Sequence, residues 1–255
     1  AAFNGTGPNH FPTLVRALLV PQLPLALLWL DEMPAKGRLL GQLLRMSDRI
    51  LVDSQHGGKE GALCLIKDLM GAVPITFCDL GWMRLSPVRQ LIATFFDPPG
   101  MAERLLELDR IELHTSTTGR TTGLLLLGWL LSRCGHTRFR AVDLGDPSRT
   151  HYRWNVRRGN RWFLVDFHVD EGDGGLDGLI SLELLAGSDR FYIEDADAEH
   201  MSLSSPVMNK PRVPLHVLGD AELIIAGLSG RAKDPVYVAA LGVAADLVES
   251  EVWNQ

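Results

Sequence analysis

CDLGWMRLSPVRQLIATFFDPP, residues 78–99, holds both the start and the stop of a helix. Ser86 supplies an N-cap and Pro87 the first helical position, and Val88, Leu91, Ile92, Phe95 and Phe96 recur at the spacing of one apolar helix face. Asp97, Pro98 and Pro99 end the pattern, because a residue before proline is pushed out of the helical region. Just upstream, Trp82 and Arg84 bring an aromatic ring and a guanidinium to the helix start. Core packing is the ordinary reading of Trp82 there.

Working outward toward the N-terminus, Thr13 caps a helical pattern through Val20. Leu25–Leu30 is a continuous apolar run of strand length, Leu39–Met46 reads as helix, Arg49–Asp53 as strand and Gly61–Met70 as helix. Beyond the central helix the pattern predicts a helix over Met101–Leu108, a third strand over Arg110–Thr115, and a hydrophobic helix over Thr122–Cys134 that Gly135 stops. Strands buried on both faces and alternating with helices imply βαβ units. The first half is therefore expected to be a parallel three-layer α/β domain, residues 1–135. After Cys134 the runs shorten: Phe139–Leu144, Thr150–Val156, Arg161–Val169, Leu179–Leu185, Arg190–Glu194 and Met201–Ser205 are separated by turn residues. Arg158-Gly159-Asn160 and Gly187-Ser188-Asp189 read as hairpin turns. Helices over Asp220–Leu228 and Asp234–Val248 close an antiparallel α+β half, residues 136–255. The fold class is α/β.

Composition narrows the function classes. With 255 residues, 46% hydrophobic and 22% charged, the chain is long enough to bury a sizeable core. A net charge of −6 argues against nucleic acid, whose phosphates call for a surplus of Lys and Arg. Cys64, Cys78 and Cys134 are far apart in apolar surroundings and read as buried thiols in a reducing compartment, the cytoplasm. The start has no basic segment followed by an apolar block, so no signal peptide is expected, and no apolar stretch reaches membrane-spanning length.

Catalytic motifs are missing. HExxH, paired CxxC, GxSxG and a Walker loop do not occur, and Gly5-Thr6-Gly7 lacks both a preceding strand and a third glycine, since His10 stands there. DSQHGGKEG, residues 53–61, fails as a phosphate loop at Asp53 and Glu60. STTGRTTG, residues 116–123, sits where a strand meets a helix. Together with Lys59, its Thr118 and Arg120 make a candidate anion site, against the plainer reading of a polar loop with a Thr cap. Asp170–Asp177 resembles a calcium loop in composition only, because Ser181 stands where the bidentate Glu belongs. No metal and no cofactor is expected. Asp166 and His168, two apart on a strand, face the same way and permit an acid/base pair, although no nucleophile accompanies them. Arg153, Arg157, Arg158 and Arg161 cluster at a hairpin, where they either solvate a sheet edge or dock an acidic partner.

These residues carry a resemblance. VRALLVPQLPLALLWL, SDRILVDS, the 78–99 block and GLLLLGWLLSRCG resemble, in order and spacing, the OpcA family of glucose-6-phosphate dehydrogenase assembly proteins. The set Asp79, Leu80, Trp82, Arg84, Leu85, Pro87 and Arg89 is the most specific part, and FFDPP looks like the cyanobacterial branch. Val88 and Leu30 depart from the family, which has aromatic residues at those places. The resemblance implies a non-catalytic allosteric activator of the pentose phosphate pathway. Such a protein binds glucose-6-phosphate dehydrogenase and favours its active oligomer. Asp79, Trp82, Arg84, Arg89, Arg157 and Arg158 are then the candidate partner-binding residues, and replacing Arg84 and Arg89 by Ala is expected to weaken binding with the fold intact. Thioredoxin control, known among cyanobacterial relatives, is not carried over, since none of the three cysteines can be placed on the positions concerned. The rival reading is a sugar-phosphate-binding α/β enzyme or a metabolite-sensing module, with Asp53, Lys59, His114 and Arg120 around a crevice.

Overall fold

The computed structural model describes residues 11–20, 22–30, 37–55, 61–136, 138–145, 148–172, 174–175, 178–197, 199–230 and 233–252. Gly5-Thr6-Gly7 and Lys59 lie outside them. Helix α1 (Phe11–Leu18) precedes β1 (Ala26–Trp29), α2 (Arg38–Leu44), β2 (Arg49–Val52), α3 (Gly61–Ala72) and β3 (Thr76–Asp79). The three strands pair in parallel in the order β1-β2-β3. The sequence pattern does not announce β3, because its four residues are too few to establish a period.

Asp79 then starts α4 (Leu80–Arg84), its carboxylate accepting from the Gly81 amide at 3.0 Å. α5 (Ser86–Ala93) follows almost directly. Ser86 is not the N-cap: Leu85 is already helical at φ −67° and ψ −9°, so the chain runs from one helix into the next and the cap belongs to Asp79. Val88, Ile92 and Phe95 are buried as their spacing requires, with Leu91 and Phe96 half-buried beside them. The helix expected over Met101–Leu108 shortens to α6 (Ala102–Leu105).

β4 (Arg110–Ser116) departs from expectation. It does not join the first sheet, where β3 already occupies the position beside β2. It lies inside an eight-stranded sheet of order β11-β10-β9-β8-β4-β7-β6-β5. Helix α7 (Arg120–Arg133) carries the chain from β4 through β5 (Arg138–Ala141) and β6 (His151–Arg158) to β7 (Arg161–Asp170), which lies parallel to β4. β8 (Leu179–Ala186) pairs antiparallel on the other side of β4, and β9 (Asp189–Asp197), β10 (His200–Ser205) and β11 (Met208–Pro214) continue outward. The expected meander is thus split by β4. β11 escapes sequence reading because it is an exposed edge strand holding Pro211 and Pro214, where alternation is not enforced. Both predicted hairpins form, with Gly159 and Gly187 at φ 55° and 61° in the turns.

Helices α8 (Asp220–Ser229) and α9 (Pro235–Val252) close the molecule. Asp234 caps α9, accepting from the amides of Val236 at 2.9 Å and Tyr237 at 3.2 Å. Leu223 of α8 packs with Leu51 and Leu80 on one side of the small sheet. α9 lies against α7 and α3. One hydrophobic cluster therefore joins Ile50, Val52 and Phe77 of the small sheet to Ile111, Leu113, Val165 and Phe191 of the large one. The opposite face of the large sheet presents Arg110, Glu112, His114, His151, Arg153, Asp166 and His168, as strand alternation demands.

Candidate functional site

The α4 segment is a buried knot. Arg84 holds Asp53 in a two-pronged ion pair, Nη1 to Oδ1 at 2.9 Å and Nη2 to Oδ2 at 2.7 Å, with side-chain exposures of 7% and 8%. Its Nη2 also donates to Asp220 of α8 at 2.9 Å. Asp79 is fully enclosed and accepts from the Ser54 amide at 3.1 Å and from the Tyr237 hydroxyl at 2.9 Å. Burial pushes its carboxyl up from the usual range, against those hydrogen bonds, and burial beside Asp79 pushes the Tyr237 phenol well up. Trp82 donates from Nε1 to Asp234 at 2.8 Å, and its ring lies 5.6 Å from that of Tyr237. The Arg89 guanidinium stacks over the same indole at 3.5 Å, and burial lowers its pKa to about 10. Asp79, Trp82 and Arg84 thus tie β2 and α4 to α8 and α9 inside this chain. The expectation that Arg84→Ala leaves the fold intact is corrected, since that change removes the guanidinium that engages both oxygens of the buried Asp53 carboxylate.

The hairpin arginines divide. Arg158 donates to the carbonyls of Leu105 at 3.3 Å and Leu108 at 3.2 Å, bracing the segment after α5. Arg157 donates to the Gly159 carbonyl at 2.8 Å and sits across from Trp162, a tryptophan 50% exposed. Around the anion-site loop, Thr118 bonds the Ser116 hydroxyl at 2.9 Å, and a Cβ on Gly119 would collide with the Gly178 backbone. Arg120 lies over the Tyr152 ring at 4.8 Å, on the helix-covered side of the large sheet, whereas His114 is on the other face. Asp53 is held by Arg84. The crevice grouping of Asp53, His114 and Arg120 is therefore not assembled.

What the sheet assembles instead is a polar ladder. His114, His168 and His151 are direct neighbours across β4, β7 and β6, with ring centroids 4.3 and 4.1 Å apart. Asp166, fully buried, takes Arg153 Nε at 2.6 Å, His151 Nε2 at 2.8 Å and Arg110 Nη2 at 3.1 Å. Burial works to raise its pKa, but the bonds from Arg153 and His151 and the charge of Arg110 outweigh it and hold the carboxyl low. Burial, reinforced by His114 and His151, lowers the His168 pKa and so favours the neutral ring. Asp166 and His168 do share a face, and the ladder can bind or move protons. The sequence pattern does not single out Glu112 or His151. The turn at Gly159–Asn160 holds the missing signal, because seven residues back from Arg158 and seven on from Arg161 pair His151 with His168.

Two packed sheets, a small parallel one followed by a large mixed one with helices on one face, define the class as a two-sheet α/β architecture. Solved structures share it: a Thermotoga maritima protein described as an oxidoreductase has a TM-score of 0.54 at 13% identity, covering 92% of this chain and 80% of that one. A Chromobacterium violaceum dehydrogenase has 0.53 at 13%, covering 95% and 78%. At that identity the likeness is one of fold alone. Residues 75–241 match the OpcA family model, described as the C-terminal domain of a glucose-6-phosphate dehydrogenase subunit, and the chain belongs to that family. It is 32% identical over 121 residues to a Synechocystis protein described as an OxPP cycle protein OpcA, across 47% of this chain and 25% of that one. A Nostoc punctiforme protein of the same description is 32% identical over 122 residues, across 47% and 26%. The matched stretch spans about a quarter of the length of these curated relatives. Among the described residues no helix is long and apolar enough to cross a membrane.

Proposed function

We propose that this chain is a non-catalytic effector that binds glucose-6-phosphate dehydrogenase and favours its active oligomer. The observation that carries the reading is the family match over residues 75–241. The physical requirement is modest: preferential binding to one state of the enzyme, with an effect no larger than the difference in affinity between states. The contact surface in this proposal is the end of the β6–β7 hairpin, where exposed Trp162 lies among Arg157 and Arg161, a combination favoured at interface centres. Arg158, Asp79, Trp82, Arg84 and Arg89 act in the proposal by holding the supporting elements in place. Three free thiols suit a reducing cytoplasm.

The test is enzyme activity at low substrate with and without this protein, using the enzyme of the same organism, with assembly size followed by light scattering. A lower apparent KM or a larger assembly supports the proposal, and Trp162→Ala should reduce either effect while leaving the melting transition in place. No change in activity or size overturns it.

A further inference from the structure

We infer that Glu112, His114 and His168 form a binding site for one divalent transition-metal ion of the zinc type, on the open face of the eight-stranded sheet. No sequence motif announces it, because the ligands come from two strands that meet only in the folded sheet, β4 supplying two and β7 the third.

Geometry is the first support. Glu112 Oε1 lies 3.3 Å from His114 Nε2 and 3.7 Å from His168 Nε2, and the three ligand atoms lie within 4.8 Å of one another. Metal–nitrogen and metal–oxygen bonds of about 2.1 Å in a tetrahedron place ligand atoms about 3.4 Å apart. Two edges of the triangle already bracket that value. Two histidines and one carboxylate leave a fourth position open, the donor set of an open zinc centre.

The surroundings are the second support. His114 donates from Nδ1 to the Asp170 carboxylate at 2.8 Å. That is the outer contact that metal-ligating histidines make, and it directs the lone pair of Nε2 toward Glu112. Glu112 uses its other oxygen, Oε2, on Arg110 at 2.8 Å, which turns Oε1 toward the two imidazoles. With Nδ1 on Asp170, His114 Nε2 and Glu112 Oε1 face each other at 3.3 Å, and an ion between them would be held by both. His168 supplies the third nitrogen, its Nε2 3.7 Å from Glu112 Oε1, and on binding its ring turns out of the stack on His114, because lone pairs in two planes parallel to within 7° do not converge on one ion.

The test uses untagged, metal-stripped full chain, titrated with Co2+ at neutral pH and then with Zn2+. The expected result is saturable binding of one Co2+ with the ligand-field bands of a nitrogen- and oxygen-ligated ion, displaced by Zn2+. His168→Asn and the isosteric Glu112→Gln should each weaken Zn2+ binding at least about a hundredfold, the upper end of what outer-shell changes alone cost. His200→Asn, which alters the separate Asp197–His200 pair on β9 and β10, should bind as the unaltered protein does. Circular dichroism identifies any variant that fails to fold, and Glu112→Gln then decides. Absence of saturable Co2+ binding overturns the proposal. Binding that survives in folded Glu112→Gln and His168→Asn overturns it equally.

Discussion

At the scale of single residues, the buried charges dictate the largest effects. Arg84→Ala removes the guanidinium that engages both Asp53 oxygens, and breaking a buried pair by removing one partner costs about 3–5 kcal/mol. Arg84→Lys should recover only part, because an ammonium cannot reproduce the fork. Urea unfolding of the two variants checks this. Asp79 gives a prediction with a sign. Its folded pKa is raised, so the folded state holds the proton more tightly than the unfolded chain does. Its contribution to stability therefore falls as pH rises from the ordinary carboxyl value through the raised one, and it recovers as pH falls. In Asp79→Asn the amide oxygen can still accept from Ser54 and Gly81, and the variant should lack that slope. Unfolding free energies of the two proteins across mildly acidic pH, subtracted from each other, measure it; parallel curves would refute the assignment. The thiols add a third expectation. Burial pushes Cys134 up to about 12 and also raises Cys64 and Cys78, so little thiolate exists at neutral pH. Alkylation of native protein should leave Cys134 unmodified and proceed there only on unfolding, as peptide mapping would show.

At the scale of elements, one contact fixes how α7 and α9 cross. A Cβ on Gly128 would run into the Ala240 carbonyl and the Ala244 backbone, neither of which can rotate away. Gly128→Ala should therefore destabilise by about 1–3 kcal/mol through overpacking, although alanine is the better helix former. A rise in the urea midpoint would show that the helices can separate at little cost. Legibility from sequence divides at this same scale. The helix after Pro87, the strand at Arg49 and both hairpin turns are readable, because each satisfies a local rule of period, cap or turn. β3 and β11 are not, one being too short and the other a proline-bearing edge. The site is readable in part. Spacing puts Asp166 and His168 on one face and the hairpin turn holds the register of His151, but the placing of β4 beside β7 depends on sheet order, which no local pattern encodes.

At the scale of the whole molecule, the question is whether the shift in composition near residue 135 separates two units that fold alone. β4 lies before that point, yet it is hydrogen-bonded along its length to β7 and β8, both beyond it. α9, near the end of the chain, packs on α7 and on α3, and so contributes to the core above each sheet. A fragment 1–135 would expose both edges of β4 and the apolar surface of α7, where Leu124, Leu125, Leu126 and Leu127 are all buried in the whole chain. A fragment 136–255 would lose the strand that joins β7 to β8. Neither fragment should show a cooperative melt by itself, and the two should regain one when mixed, because the surfaces each lacks are those the other presents. The intact chain should unfold in a single transition reported alike by tryptophan fluorescence and far-ultraviolet circular dichroism. Two separated transitions, or a fragment 1–135 that melts cooperatively alone, would mean that the shared cluster is a docking contact between independent folds. In that case Arg84→Ala, which strikes the small-sheet side, would lower one transition and leave the other unmoved.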